Sequence, residues 1–278
     1  MSATWTLSGF GDEIDDDPEV QLDVLAEVGA SHIEVRSAWG VNVADFDDER
    51  TDRLRAVLDR RGFAASAVAS PIGKVDVSLP VEHEVERLRR VIRVADGLDA
   101  PFIRVFSFYR ADGLGHADVR DAVLERMRAL ADVATGAGVV LLHENEKGIY
   151  GDTPEHVLDL VESVASPALR LAWDNANFVQ VGSRPFSDGW HLLREHVDYL
   201  QVKDALAADG RVVPAGEGDG ELLETLTALR DAGYAGFASL EPHLSGAHEL
   251  GGFSGPDAFR TAAAAFRGLT DRIGATLA

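Results

Sequence analysis

Short apolar, β-rich runs alternate along the whole chain with longer amphipathic stretches, the pattern of βα units around a parallel sheet. Eight runs read as strands: Trp5 to Phe10, His32 to Val35, Phe63 to Ala69, Phe102 to Phe106, Val139 to His143, Leu169 to Trp173, Tyr199 to Val202 and Phe237 to Leu240, with starts 27 to 39 residues apart. Between them apolar residues recur at helical spacing, as in Leu54, Val57, Leu58, in Val85, Leu88, Val91, Ile92, in Leu222, Leu226, Leu229 and in Phe259, Ala263, Phe266, Ile273. Eight even units without a Pro/Ser-rich linker predict an α/β chain folded as a single (β/α)8 TIM-barrel domain over residues 1–278, close to the usual ~250 residues. A doubly wound open sheet competes poorly, because no Gly-x-Gly-x-x-Gly follows the first strand. The run GEGDGE from Gly216 comes after the seventh strand and reads as turn-forming glycine rather than a phosphate loop.

Such a barrel carries its active site at the C-terminal ends of its strands. Strand five ends in His143-Glu144-Asn145-Glu146-Lys147, strand six in Asp174-Asn175-Ala176-Asn177, strand seven in Gln201-Val202-Lys203-Asp204 and strand eight in Glu241-Pro242-His243. Side chains alternate across a strand, so Val140, Leu142 and Glu144 share one side, as do Ala172 and Asp174, Tyr199, Gln201 and Lys203, and Phe237, Ser239 and Glu241. If those sides face the axis, Glu144, Asp174, Gln201 and Glu241 converge. Three carboxylates in one cavity repel one another unless a cation neutralises them, which makes these four the predicted ligands of a divalent metal. All-oxygen donors favour Mn2+ or Mg2+ over Zn2+.

Composition narrows the chemistry further. With no Cys, disulfides, thiolate nucleophiles and Cys-bound metals are excluded. A formal charge of -21 disfavours nucleic acid and anionic lipid as partners. No apolar run approaches the roughly 20 residues needed to span a bilayer, and the start MSATWTLSGF lacks the layout of a secretory signal, so a cytoplasmic location is expected. The basic residues are 23 Arg and only three Lys, and Lys74, Lys147 and Lys203 all fall on the predicted active face. Each is a candidate substrate contact, although Lys203 could instead bridge Asp174 or Asp204. Arg36 and Arg104, also at strand ends, are expected to salt-bridge barrel carboxylates, and Arg211 is a weaker substrate contact. Among the histidines only His243 shares parity with Glu241 and is placed near substrate. His143 should pack toward the helices, and His116, His156 and the others lie at helical or loop positions without ligand spacing. Trp39 follows strand two and could stack on a substrate ring. The run Asp15-Asp16-Asp17-Pro18 reads as a helix cap.

The segments HENEKGIYGDTP, WDNANF, YLQVKDA, PAGEGDG and SLEPHL, preceded by EVGASHIEVRSAWG and ASPIGK, resemble the sugar phosphate isomerase/epimerase group of the xylose isomerase-like TIM barrels. The resemblance runs from about Phe10 to the segment Phe253-Ser254-Gly255-Pro256. It implies that Glu144, Asp174 and Glu241 bind metal and that Glu144 and Glu241 also form the acid/base pair. Gln201 stands where the common pattern has His, as in the similar hydroxypyruvate isomerases, and its amide oxygen can still coordinate. Asn177 stands where the epimerases often carry a substrate-contacting His, which makes it a further substrate-binding position.

The expected activity is therefore metal-dependent isomerisation or epimerisation of a small sugar or polyol. A proton leaves a carbon next to a carbonyl, a Lewis acid steadies the enediolate oxygen, and two glutamates handle the protons. Three alternatives use overlapping residues: a metal-dependent lyase or dehydratase on an oxo-sugar or cyclic polyol, a metal-free glycosidase, and a noncatalytic sugar-binding subunit. A homo-oligomer is left open.

Overall fold

Parallel pairing carries the eight expected strands into one ring. The computed structural model describes residues 3–245, 247–248 and 251–278. Its barrel strands are β1 (Thr4–Gly9), β2 (His32–Val35), β3 (Ala64–Val68), β4 (Phe102–Val105), β5 (Val140–Glu144), β6 (Leu169–Asp174), β7 (Val197–Val202) and β8 (Phe237–Leu240). Neighbours pair in the order β1-β8-β7-β6-β5-β4-β3-β2. A parallel bridge from Phe10, just past β1, to Glu34 in β2 joins the two ends of this series. The short strand Thr276–Leu277 adds to the beginning of β1.

The connecting helices are α1 (Pro18–Glu27), α2 (Asp48–Arg61), α3 (Val81–Gly97), α4 (His116–Ala137), α5 (Pro154–Val164), the short α6 (Asn175–Gln180), α7 (Leu222–Asp231) and α8 (Pro256–Ile273). Local chemistry sets their ends. Asp17 caps α1 by accepting the Glu19 N–H at 3.1 Å, with Pro18 in the first turn, so the acidic run is a cap as expected. Asp47 caps α2 in the same way, and Gly62, at φ 69°, stops it in the left-handed conformation that glycine adopts without steric cost. The buried faces of α2, α3, α7 and α8 are those the periodicity marked, led by Leu54, Val57, Leu58, Val85, Leu88, Leu226, Phe259 and Phe266. Among the described residues no helix is long and apolar enough to cross a membrane.

Inside the ring the side chains stack in layers, because the alternation of each strand is repeated by its neighbour. The floor is aromatic: the rings of Phe102, Tyr199 and Phe237 pack at 5.7 to 6.4 Å between centroids. Above it runs a hydrogen-bonded polar layer. Ser8 Oγ lies 2.7 Å from Ser66 Oγ, Ser66 Oγ lies 2.8 Å from the Tyr199 hydroxyl, and that hydroxyl donates to Glu34 Oε2 at 2.9 Å. The third layer, at the mouth, is charged.

Candidate active site

The mouth layer is made by the ends of β5 to β8 and by two arginines from the opposite wall. Asp174 and Gln201 are register partners across β6 and β7, and Gln201 pairs with Ser239, two residues before Glu241. Glu144, Asp174 and Glu241 are all buried, and each brings one carboxylate oxygen within 4.8 Å of the others. Strand parity alone predicted this convergence.

Three cations are wired into the cluster. Lys203 Nζ lies 2.7 Å from Asp174 Oδ2 and donates to Glu241 Oε2 at 2.9 Å. Arg104 Nη1 donates to Glu144 Oε2 at 2.9 Å and lies 3.6 Å from Glu241 Oε1. Arg36 reaches Glu241 Oε1 at 3.2 Å while its Nε and Nη2 hold Asp12 at 2.8 Å and Glu13 at 3.4 Å. Both guanidinium groups also sit over the Phe10 ring, at 5.0 and 5.2 Å. Arg36 and Arg104 thus salt-bridge barrel carboxylates as expected. Lys203 bridges Asp174 and Glu241 rather than Asp204.

Burial and charge divide these groups unevenly. Burial pushes the Asp174 carboxyl up to about 7, against the pull of Lys203 and with help from the charges of Glu144 and Glu241. At Glu241 burial acts in the same direction, but Lys203, His243 and Arg104 outweigh it and hold the carboxyl well below its usual range. Lys203 is held well above its usual value, because Asp174 and Glu241 overcome the burial that would lower it. Two neighbouring carboxyls therefore differ sharply in proton affinity, an arrangement suited to acid/base work.

Gln201 sits between this layer and the one beneath. Its Nε2 donates to Glu34 Oε1 at 3.3 Å, and its buried Oε1 has no hydrogen-bond partner. Glu34 is itself pushed up to about 7, chiefly by burial, with Arg104 working against the rise. The sequence reading missed Glu34, Asp12 and Glu13, although Glu34 shares parity with Arg36 and an acidic residue inside the strand HIEV is a signal in itself.

Loops complete the mouth. Gly73, at φ 85°, lets the β3–α3 loop cross the end of β4, since a Cβ there would lie 2.0 Å from the Phe106 carbonyl oxygen. This crossing delivers Lys74, which pairs with Glu146 at 3.1 Å and lies 4.2 Å over the Phe106 ring. Asn177 enters from α6: its Nδ2 donates to Glu144 Oε1 at 3.0 Å, while its N–H donates to Asp174 Oδ1 at 2.9 Å. His243 Nε2 lies 3.0 Å from Glu13 Oε1 and 3.3 Å from Glu241 Oε1. Lys74, Glu146, Lys203 and His243 line a cavity of about 80 Å³ above Glu144 and Glu241.

Two predicted contacts stand apart: Lys147 is exposed, and Arg211 is 66% exposed, its Nε 3.8 Å from Asp209. Trp39 carries the Arg53 guanidinium at 3.9 Å from its ring. The GEGDG glycines are not a phosphate loop. Asp204 Oδ2 accepts the N–H groups of Gly216 and Gly218 at 2.8 and 3.0 Å, and Oδ1 accepts those of Gly220 and Ala205, both at 2.9 Å. A Cβ at Gly218 would lie 2.3 Å from Asp204 Oδ1, so glycine is required where the loop wraps that carboxylate.

A family model described as Xylose isomerase-like TIM barrel matches residues 22–269. The chain is 30% identical over 220 residues to 2-epi-5-epi-valiolone 7-phosphate 2-epimerase from Actinoplanes sp. (strain SE50/110), covering 74% of this chain and 79% of that one. In fold it is similar to a D-tagatose 3-epimerase-like protein, with TM-score 0.78 and 17% identity over 96% of this chain and 98% of that chain. A xylose isomerase-like TIM barrel protein from Mycobacterium smegmatis, in complex with magnesium, superposes with TM-score 0.69 and 19% identity over 98% of each chain.

Proposed function

The chain belongs to the xylose isomerase-like TIM barrel family, and on that premise we propose that it is a divalent-metal-dependent sugar isomerase or epimerase. The observation that carries this reading is the convergence of Glu144, Asp174 and Glu241 within 4.8 Å beside a buried Gln201 Oε1 that accepts no hydrogen bond. An unsatisfied buried acceptor costs ~1–3 kcal/mol, and coordination to a cation removes that cost. Charge argues in the same direction. Asp12, Glu13, Glu34, Glu144, Glu146, Asp174 and Glu241 outnumber Arg36, Lys74, Arg104, Lys203 and His243, and Glu34 and Asp174, the two that burial pushes up to about 7, are those a further positive ion would return to the charged form. Oxygen donors alone favour Mg2+ or Mn2+. The epimerase named among the relatives supports the reaction class, and fold neighbours solved with magnesium and with zinc support a divalent ion.

Glu144, Asp174, Gln201 and Glu241 would hold the ion, which would supply Lewis acidity to the substrate. The chain's own residues do the rest. Glu144 and Glu241, three strands apart in a ring of eight, are the proton-transferring pair on either side of the cluster. Asn177 and Arg104 each hold one oxygen of Glu144 and so set the direction of its free lone pairs. Lys203, shared between Asp174 and Glu241, keeps a partner whichever carboxylate is protonated. Lys74 and His243 at the cavity mouth are the foremost contacts for sugar hydroxyls, with Lys147 and Arg211 able to reach only from the surrounding loops.

The test is incubation of the metal-stripped and metal-restored protein with a panel of ketoses, aldoses and inosose-like ketones in deuterated water. Deuterium should enter one substrate next to its carbonyl, stop on chelation and resume with Mn2+. Exchange that survives stripping overturns metal dependence, and a product lighter by one water replaces the isomerase reading with a dehydratase.

A further inference from the structure

Lys74 reaches the cavity mouth on a loop that is stitched along one side to the segment after β4. The Phe106 N–H donates to Ile72 O at 2.8 Å, the Phe108 N–H to Gly73 O at 2.9 Å, the Tyr109 N–H to Val75 O at 2.8 Å and the Val77 N–H to Tyr109 O at 3.0 Å. The Gly73 N–H has a different partner. It donates at 2.6 Å to Oε2 of Glu84, in the first turn of α3. Both residues are buried, Glu84 to 2% exposure. A carboxylate so buried is rare unless paired, yet Glu84 has little charge beside it: Oε1 lies 2.9 Å from Nδ1 of the exposed His83 and 3.7 Å from Nη1 of Arg87. Its shortest bond goes to the backbone amide immediately before Lys74.

We propose that Glu84 is a positioning residue for Lys74: by holding the Gly73 amide it seats the loop that sets the ammonium over the cavity. The proposal rests on the reading of Lys74 as a substrate contact. Lys74 Nζ lies 3.1 Å from Glu146 Oε2 and 4.2 Å from the centre of the Phe106 ring, and its side chain is 31% exposed, so it can meet a ligand entering from the mouth. Glu84 acts on it from the helix layer, through the backbone.

Gly73 leaves the loop one seat. A Cβ there would lie 2.0 Å from the Phe106 carbonyl oxygen, so the two backbones are already in close contact, and the buried amide needs an acceptor where it stands. An ionised acceptor makes the stronger bond. Without it the Gly73 N–H recovers a partner only by rising toward water, and Lys74, the next residue, rises with it. The pair with Glu146 and the contact with Phe106 are then loosened together, although every side chain at the cavity is unchanged.

Because Lys74, Lys147 and Lys203 are the only lysines, trace acetylation of the whole protein with acetic anhydride, read by peptide mass spectrometry, reports on each separately. Lys147 is the exposed standard and Lys203, 3% exposed, the buried limit. Lys74 should label more slowly than Lys147 in wild type and approach its rate in Glu84→Ala, while Lys203 stays slow and shows the barrel intact. Glu84→Gln keeps an oxygen for the Gly73 N–H and should leave Lys74 at the wild-type rate. On the substrate found by deuterium exchange, Glu84→Ala should raise KM about 10-fold, the worth of one hydrogen bond to a charged group, with kcat little changed. Lys74→Ala should do the same, and the double variant should be no worse than Lys74→Ala. Unchanged labelling of Lys74 in Glu84→Ala overturns the proposal, as does a KM that rises again when Glu84→Ala is added to Lys74→Ala. Lys74 released with KM unchanged would uphold the anchor and remove Lys74 from substrate binding, so the two failures are distinguishable. Glu84→Leu, which keeps the bulk without an acceptor, stands in if Glu84→Ala fails to fold.

Discussion

The cluster on the barrel axis and the cluster on its rim both bury carboxylates, but they differ in how many cations match them. On the axis Glu144, Asp174 and Glu241 are buried and matched by Lys203, Arg104 and Arg36 at 2.7 to 3.6 Å. At the rim, where the loops after β4 and β5 meet, the buried Asp152 has Arg110 and the partly exposed imidazoles of His116 and His156 beside it at 2.7 to 3.6 Å. The contrast follows from dielectric. An unpaired charge in the interior costs several kcal/mol, so the three carboxylates gathered on the axis draw three cations, whereas the single buried carboxylate of Asp152 is matched by Arg110 and its imidazole neighbours stay partly open to solvent. An ion entering the axis must share carboxylates with Lys203.

The largest effect expected from breaking the axis is catalytic. Glu144→Gln and Glu241→Gln each keep a coordinating oxygen while removing the proton acceptor, and each should lower turnover by ~100- to 10,000-fold with Mn2+ still partly bound. In an epimerisation with one base per face, either variant should still exchange one substrate hydrogen with deuterated solvent without forming epimer. Full turnover in a metal-loaded variant removes that residue from the reaction.

Next in size is Lys203→Met, which leaves Asp174 and Glu241 without the ammonium between them. Urea unfolding should show a loss of about 3–5 kcal/mol in metal-free buffer, and Mn2+ should restore part of it by taking over the neutralisation. Failure of Mn2+ to rescue would mean that the axis is an ion-pair network complete in itself.

Between the two clusters lies His143, buried with its Nε2 2.9 Å from Ser107 Oγ, the same hydroxyl that accepts the Gly151 N–H at 2.7 Å next to Asp152. Burial pushes this imidazole down to about 3. The unfolded chain takes up the proton near the ordinary value of ~6.5 and the folded chain does not. The stabilisation is therefore complete above that pH and is lost as pH falls toward about 3, with a slope of at most ~1.4 kcal/mol per unit. Unfolding free energies at pH 7, 6 and 5 should fall more steeply for wild type than for His143→Gln, and equal slopes would show that another group governs acid stability.

The smallest effect sharpens the axis alone. Glu34→Gln removes one acceptor from beneath Gln201 and Tyr199 and should weaken Mn2+ binding by about 10-fold, the lower end for groups that orient a metal ligand. Gln201→His, with a stronger donor at the same place, should shift it in the other direction. Calorimetry that finds both variants equal to wild type would make Gln201 a bystander.

Much of the axis was legible along the chain because a strand repeats every two residues. Once eight strands were recognised, Glu144, Asp174, Gln201, Lys203 and Glu241 had to face the same side as the apolar residues beneath them, and His143 had to face the helices, where it lies between β5 and Val157 of α5. The helix cap at Asp17 was legible too, being a local rule of one turn. No such period governs which counter-charge meets which carboxylate. That Lys203 chooses Glu241 over Asp204, that Asp204 spends its oxygens on the amides of Gly216, Gly218 and Gly220, and that Asp12, Glu13 and Glu34 join the axis all depend on where other strands and loops arrive. The rim cluster shows the limit most plainly: His116 and Asp152 are 36 residues apart in sequence and 2.7 Å apart in space. Strand spacing carries no information about two loops, whereas the packing of α4 and α5 on neighbouring strands brings their first turns together.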